Sequence, residues 1–306
     1  MKTQLTLRFH ALVAGLMVFI GSAAAHASFH FMQIEQVIGG VDGDTSAQAI
    51  QLRMRSAGQN LVSSASLWVS DAAGVNRILL LKIAANVGNS AAGDRVLLVS
   101  PGFTNYLGSG FSPDFTLANI IPTNYFKAGR LTFEADGGTT TTPGTIYWSV
   151  SWGGTNYTGS QTGSTFNDAN GNFGPAFNGP LPSTDTSVLQ FTNSAAALST
   201  SNSVDYTVTS GPAIFVKNSR SSFVVVDPRR INSINRETND LRVTFTMIPG
   251  KTNSLQRSVS TTDGSISTNF TNIFTVNNPT GSLTNYLDIG AVTNFKAGYY
   301  RTRLVP

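Results

Sequence analysis

The chain has 306 residues, of which 41% are hydrophobic and only 12% are charged, and it contains no cysteine. The charged fraction is about half of what soluble domains usually carry, and a surface rich in Ser, Thr, Asn and Gly is typical of extracellular β proteins. Without cysteine, the chain has no disulfides, no thiolate catalysis and no lipid-modified N-terminal cysteine. Its 19 Phe, 8 Tyr and 3 Trp are sufficient for a folded core, which excludes a disordered chain.

The first 27 residues have the three parts of a secretory signal peptide. Lys2 and Arg8 make the start positive, residues 11–20 form an apolar run too short to span a bilayer, and Ala25-His26-Ala27 is a small-residue cleavage site. We expect cleavage after Ala27. The mature protein is then secreted or held at the cell surface, without a membrane span.

Cleavage leaves one histidine, His30, in the mature chain. A multi-histidine zinc site and a Cys-His dyad lack their residues, and a Ser-His-Asp triad would depend on His30 alone. Most hydrolase and metalloenzyme classes are therefore not expected.

Charge is unevenly distributed along the mature chain. Residues 28–211 carry 7 Lys+Arg against 11 Asp+Glu, whereas residues 212–306 carry 11 against 5. The basic residues are scattered singly, apart from Arg229-Arg230, which favours solvated strand faces. Export leaves polysaccharide or other surface proteins as the expected partner classes. Nucleic acid is not expected, because the chain has no basic run and no RNA-binding signature.

Alternation of apolar and polar residues predicts β-strands along most of the chain. Strands with one buried and one solvated face are predicted at residues 49–55, 145–152 and 241–247. Continuous apolar runs predict central strands, buried on both faces, at residues 78–81, 96–99 and 223–226.

One helix is predicted, from Pro113 to Ile121. Ser112 is its N-cap, Pro113 its first helical position and Asp114 an acidic residue in its first turn. Pro122 ends it.

The long polar stretch 153–187 is predicted to be a surface excursion of the first domain, because strands resume at Val188. The domain boundary is predicted at Asp227-Pro228, where a strand ends and proline interrupts pairing. The chain is thus all-β, with a domain at 28–226 and a smaller one at 227–306. The core of the smaller domain should form from Phe245, Leu255, Ile273, Tyr300 and Leu304.

The N-terminal strands resemble those of bacterial lamin-tail-like domains, which are immunoglobulin-like sandwiches in exported surface proteins. The resemblance rests on Ile34-Glu35-Gln36-Val37, Ala49-Ile50-Gln51-Leu52, Leu67-Trp68-Val69-Ser70 and Arg95-Val96-Leu97-Leu98-Val99. It implies an immunoglobulin-like β-sandwich.

Residues 231–306 resemble a small fibronectin-III-like module found at the ends of exported bacterial proteins. The resemblance rests on Asp240 to Phe245, Pro249-Gly250-Lys251-Thr252, Ser258 to Asp263, Phe270 to Ile273 and Tyr299 to Leu304. Both families imply display or adhesion, and neither provides catalytic residues.

Asp168, Asn170 and Asn172 have the 1-3-5 oxygen spacing of a calcium loop, with Gly171 and Gly174 beside them. Position 12 of such a loop is Gly179 here, not the bidentate Glu of an EF-hand. An Asx-rich turn and a structural calcium site both fit this pattern. Asp42-Gly43-Asp44, in the N-terminal part of the chain, is predicted to be a plain turn.

Tyr147 and Tyr157 are candidates for exposed sugar-binding aromatics, whereas Trp148 and Trp152 share a face with apolar neighbours and should be buried. A glycosidase with two carboxylates needs no histidine, but the mature chain has only three glutamates, Glu35, Glu134 and Glu237, and most of its acids lie at turns. We therefore expect a non-catalytic surface, matrix or adhesion protein. A carbohydrate-binding module is the alternative, and a glycosidase comes third.

Overall fold

The computed structural model describes residues 28–107, 111–225, 229–248, 250–260, 267–294 and 297–305. The predicted signal peptide, 1–27, and most of the predicted domain boundary, 226–228, lie outside these ranges. Every described strand pair falls either within residues 28–225 or within residues 229–305. We call these the N-terminal unit and the C-terminal unit.

The N-terminal unit contains twelve strands in its described part. In chain order they are β1 (Met32–Ile38), β2 (Ala49–Met54), β3 (Ala65–Ser70), β4 (Ile78–Lys82), β5 (Arg95–Val99), β6 (Phe115–Thr116), β7 (Gly129–Ala135), β8 (Ile146–Trp152), β9 (Leu189–Phe191), β10 (Tyr206–Val208), β11 (Ile214–Val216) and β12 (Ser222–Val224). Its one described α-helix is the single turn α1 (Asn202–Asp205). Short 3-10 turns lie at Val62–Ser64, Pro101–Tyr106, Thr123–Tyr125 and Gly154–Asn156.

These strands form two main sheets and a ribbon. The six-stranded sheet has the order β10-β9-β1-β2-β5-β6, and the four-stranded sheet has the order β4-β3-β7-β8. Strands β11 and β12 pair only with each other in the described chain. All pairs are antiparallel except β5 with β6. The prediction of an all-β chain is confirmed.

The main core lies between the two large sheets. Its largest fully buried side chains include Trp148, Trp152 and Phe133 from the four-stranded sheet. Phe191 and Ile34 face them from the six-stranded sheet. Full burial of one such side chain contributes about 1.5 to 3 kcal/mol. The predicted burial of Trp148 and Trp152 is confirmed.

The predicted solvated faces of β2 and β8 are both wrong. All six residues of β2 are buried, and so are Tyr147, Ser149 and Ser151 on β8. Gln51 and Arg53 point away from the main core but are covered by later parts of the chain. Arg53 Nη2 donates to the carbonyl of Asn193 at 2.8 Å, and the amide of Val216 on β11 donates to Gln51 Oε1 at 2.5 Å. A second apolar cluster around Phe215 covers the rest of this face.

The three predicted central strands have different positions in the sheets. Strand β5 is internal and buried, as predicted. Strand β4 is instead the edge of the four-stranded sheet, and β12 is half of the small ribbon, with Ser222 and Val224 exposed. A continuous apolar run fixes neither the position of a strand in its sheet nor its burial on both faces, which explains both errors. Val226, the last residue of that predicted strand, lies outside the described residues.

The predicted helix at 113–121 is also wrong. Phe115 and Thr116 form β6, which pairs in parallel with Leu98 and Val99 of β5. The carboxylate of Asp114 accepts hydrogen bonds from the amides of Leu97 and Asn218, both at 2.8 Å. Tertiary contacts with the edge of β5 thus override the local helix-capping signal.

The C-terminal unit contains six strands in its described part. They are β13 (Ile231–Glu237), β14 (Asp240–Thr246), β15 (Asn253–Val259), β16 (Thr271–Val276), β17 (Leu283–Asp288) and β18 (Gly298–Leu304), with one helical turn, α2 (Ala291–Asn294). The two sheets have the orders β13-β14-β17 and β16-β15-β18.

A small core joins these two sheets. Val243, Phe245 and Leu255 are fully buried there, with Ile273 and Tyr300 packed against them. Leu304, predicted to belong to this core, packs instead against the Phe215 cluster of the N-terminal unit.

The two units touch through apolar and charged contacts. Ile248, buried to 1% exposure, belongs to the Phe215 cluster. Lys251 Nζ lies 2.7 Å from Ser46 Oγ and 3.4 Å from Asp44 Oδ1. The turn predicted at Asp42-Gly43-Asp44 is present. Val41 and Asp44 exchange backbone hydrogen bonds across it.

Candidate functional site

The segment that holds Asp168, Asn170 and Asn172 is the tip of a short hairpin. Thr162 and Asn172 form an antiparallel bridge, and the amide of Gly163 donates to the carbonyl of Gly171 at 2.9 Å. Gly171 has φ +69°, and a Cβ there would lie 2.8 Å from the carbonyl oxygen of Gly163. Glycine at this position therefore permits both the left-handed conformation and the close approach.

Buried residues hold the two ends of this loop, which we define as residues 167–174. The side-chain amide of Asn167 donates to the carbonyls of His30 and Tyr147, both at 2.7 Å. Phe173 is fully buried, with its ring centroid 5.6 Å from that of Trp148. The predicted surface excursion is thus anchored in the main core at this point.

The loop is a chain of Asx turns. Asp168 Oδ1 accepts hydrogen bonds from the amides of Asn170 at 3.0 Å and Asn172 at 3.1 Å. Asn170 Oδ1 accepts from the amide of Asn172 at 2.9 Å, and Asn172 Oδ1 accepts from the amide of Gly174 at 3.2 Å. The backbone is thus wrapped around the three side-chain oxygens that the sequence spacing singled out.

The second carboxylate oxygen of Asp168 differs from the first. Asp168 is 1% exposed, and its Oδ2 is buried without a hydrogen-bond partner among the described residues. A buried carboxylate oxygen normally has such a partner, because removal from water without one is costly.

The glutamates are engaged in structural ion pairs. Glu35, 3% exposed, lies 2.8 Å from Arg53 and 2.7 Å from Arg95. Glu134 is fully buried and binds Arg77, whose guanidinium lies 4.6 Å from the Trp68 ring centroid.

The third glutamate, Glu237, pairs with Arg242 at the surface. That ion pair lowers the pKa of Glu237, chiefly through the hydrogen bond from Arg242.

Most of the other described aspartates also serve the fold. Asp94 pairs with Arg220 at 2.8 Å, and this hydrogen bond lowers the pKa of Asp94. Asp205 accepts from a set of neighbouring side chains and amides in and before α1: Asn193, Ser199, Thr200 and Ser201. Asp288 binds Arg257 at 2.5 Å and Tyr300 at 2.6 Å.

The expected exposure of Tyr147 and Tyr157 is wrong. Tyr147 is 6% exposed because it packs among aromatic rings, with its centroid 4.6 Å from that of His30. Tyr157 is 5% exposed because its loop folds over β7, and its hydroxyl donates to the carbonyl of Ser160 at 2.9 Å. Burial raises the pKa of both phenols.

One buried cation was not anticipated from the sequence. Arg130 on β7 is 6% exposed, and its Nη2 donates to Ser149 Oγ at 3.1 Å and to the carbonyl of Thr162 at 2.6 Å. Burial lowers the pKa of this guanidinium. An arginine in an alternating strand gives no signal of such burial, because the covering segment comes from residues 155–163.

Among the described residues, no helix combines the length and the apolar character needed to cross a bilayer. The same residues contain no group of three or more His, Cys, Asp or Glu side chains placed to hold a metal ion.

Comparison with known proteins gives no family assignment. No family model matches the chain, and no curated protein matches it significantly.

Proposed function

We propose that this protein is an exported, non-catalytic component of the cell surface or extracellular matrix. Residues 28–226 form an immunoglobulin-like sandwich and residues 227–306 a fibronectin-III-like module. The absence of catalysis in this proposal is supported by the contacts of the glutamates. The two buried glutamates are each bound to arginine in the interior. A general acid or a nucleophile must instead reach a substrate.

Strand order supports the domain assignment of the C-terminal unit. Its first, second and fifth strands form one sheet, and its third, fourth and sixth strands form the other. Immunoglobulin-type sandwiches likewise place strands A, B and E in one sheet and C and F in the other. Domains of this architecture commonly serve in display and adhesion.

The contact between the units supports a role in which one part presents the other. Lys251 and Arg229 of the C-terminal unit face Asp44 and Asp42 of the N-terminal unit, at 3.4 Å and 3.8 Å. Ile248 adds apolar burial at the same junction.

No observation on the described residues favours a carbohydrate-binding module or a glycosidase. Tyr147 and Tyr157, the expected sugar-binding aromatics, are buried. Glu35 and Glu134, two of the three glutamates available to a glycosidase, are held in buried ion pairs.

Fractionation of a bacterium expressing the full chain with a C-terminal tag tests the proposal. We expect the tagged protein outside the cytoplasm, where protease added to intact cells degrades it. Leu16→Arg, which interrupts the apolar run of the signal, should leave it inside. Leu61→Arg, at a position 38% exposed in the folded unit, is the matched control and should not change export.

Two results would overturn the proposal. One is a cytoplasmic location of the unaltered chain. The other is release of reducing sugar from a polysaccharide that Glu134→Gln abolishes while the variant remains folded.

A further inference from the structure

We propose that residues 168–172 form a calcium-binding site in which Asp168 Oδ2 is the anionic ligand. This goes beyond the proposed function, which names no ligand. It rests on the buried Asp168 Oδ2 and on the side-chain oxygens of Asn170 and Asn172, which follow it in the sequence.

Three side-chain oxygens of the loop keep lone pairs that a cation could use. Asp168 Oδ1 already accepts two backbone hydrogen bonds, whereas Oδ2 accepts none among the described residues. The amide oxygens of Asn170 and Asn172 each accept one backbone hydrogen bond. Since an amide oxygen has two lone pairs, each keeps one. The loop thus offers a carboxylate oxygen and two amide oxygens at positions 1, 3 and 5.

A second loop in the N-terminal unit has the same backbone hydrogen bonds to an aspartate, but there both carboxylate oxygens accept hydrogen bonds. Asp71 Oδ1 accepts from the amides two and four residues ahead, Ala73 and Val75, both at 3.0 Å, as Asp168 does. There, Asp71 Oδ2 accepts a hydrogen bond from Asn76 Nδ2 at 2.7 Å. At Asp168 the matching oxygen is more deeply buried and has no such donor in the described chain.

The cationic side chain of Arg55 reaches this loop at Asn167 and not at Asp168. Arg55 Nη1 donates to Asn167 Oδ1 at 2.8 Å and to the carbonyl of Phe166 at 3.1 Å. Asp168 therefore keeps a buried negative charge that a bound cation would balance.

The donor set favours calcium over other cations. Carboxylate, amide and carbonyl oxygens are hard ligands, and calcium accepts six to eight of them in flexible geometry, with water completing the shell. Magnesium requires a near-ideal octahedron, and zinc prefers nitrogen and sulfur. With a single carboxylate, the site should resemble weak extracellular modules, with a Kd of about 10⁻⁴ to 10⁻³ M.

Thermal melting of the mature protein in EDTA and in calcium chloride tests the site. For a domain of this size, calcium at one hundred times its Kd should raise Tm by about 5 to 10 °C. Magnesium chloride and sodium chloride at matched ionic strength should raise it much less. An equal shift with all three salts, or no shift with calcium, would overturn the proposal.

Asp168→Asn distinguishes the roles of the two carboxylate oxygens of Asp168. The variant keeps an oxygen for the two backbone hydrogen bonds and loses the charge, so the calcium shift should disappear. Its Tm in EDTA should equal or exceed that of the unaltered protein, because a buried charge is removed. Asp71→Asn is the matched control and should keep the full calcium shift. A calcium shift that persists in Asp168→Asn would contradict the assignment.

Asn170→Asp tests the site in the opposite direction. It adds a carboxylate at position 3 on an exposed residue, and more ligand charge should tighten calcium binding about five-fold or more. Isothermal titration with calcium chloride measures this change. Unchanged or weaker binding would contradict the role of Asn170 as a ligand.

Discussion

The indole Nε1 of Trp148 donates a hydrogen bond of 2.7 Å to the hydroxyl of Tyr206, which joins the two large sheets through the core. Trp148 lies on β8 of the four-stranded sheet and Tyr206 on β10 of the six-stranded sheet. The Tyr206 hydroxyl donates in turn to the carbonyl of Ile34 at 2.5 Å. One phenol thus satisfies two polar groups in an otherwise apolar layer, and burial raises its pKa strongly.

Tyr206→Phe should destabilise the protein by about 1 to 3 kcal/mol, because it leaves the Trp148 N–H and the Ile34 carbonyl without a partner in the core. Urea unfolding of the mature protein measures the change. Tyr299→Phe, in the C-terminal unit, is the control and should have little effect. Equal stability of Tyr206→Phe and the unaltered protein would show that this bond contributes nothing.

Glu35→Gln should cost about 3 to 5 kcal/mol, because it leaves the guanidiniums of Arg53 and Arg95 close together without their shared carboxylate. Glu237→Gln removes a surface ion pair with Arg242 and should change stability by less than about 1 kcal/mol. Chemical denaturation of the two variants tests whether the ion pairs of Glu35 with Arg53 and Arg95 stabilise the covered face of β2. Similar effects of the two substitutions would contradict that interpretation.

The C-terminal unit should lose stability at alkaline pH. Burial raises the pKa of Tyr300, and its hydrogen bond to Asp288 raises it further. A tyrosine with a raised pKa in the folded state contributes fully below its ordinary pKa of about 10. That contribution falls as pH rises above about 10 towards the folded value, because the unfolded chain has then released the proton that the folded chain still holds.

Tyr300→Phe should therefore reduce the dependence of stability on pH between about 9 and 11. Denaturant unfolding at several pH values measures the slope. Tyr206 remains in both proteins, so its own alkaline contribution cancels in the comparison. An unchanged slope would show that Tyr300 has no raised pKa.

Ile248→Ala should destabilise the protein by about 2 to 5 kcal/mol, since this side chain is buried in a cluster of the N-terminal unit. Hydrogen exchange should also show lost protection at residues 213–216, on the other side of the contact. Ile289→Ala, at a position 75% exposed, is the control and should change stability by less than about 0.5 kcal/mol. Loss of protection confined to residues after 229 would contradict a shared cluster.

The class of the fold could be predicted because alternation reports which residues face an apolar layer. Ile146, Trp148, Val150 and Trp152 on β8 follow this rule, as do Val243 and Phe245 on β14. The rule failed on β2, where Gln51 and Arg53 look solvated but are covered. Their cover comes from residues 193–197 and from β11, more than 130 residues away, and no local pattern reports such a contact.

The candidate loop was predictable in part. The 1-3-5 spacing of Asp168, Asn170 and Asn172 indicated either an Asx turn or a calcium site, and the Asx turns are present. The burial of Asp168 Oδ2 depends on tertiary packing around the loop and could not be predicted from spacing. Tyr147 lies at a position where the alternation predicts an outward side chain, but Phe166 and His30 cover it.

Export of this protein can be tested by the intact mass of the protein recovered outside the cytoplasm. Cleavage after Ala27 predicts a mass that corresponds to residues 28–306, with Ser28 as the first residue on N-terminal sequencing. A chain that begins at Met1 and remains in the cytoplasmic fraction would contradict the account.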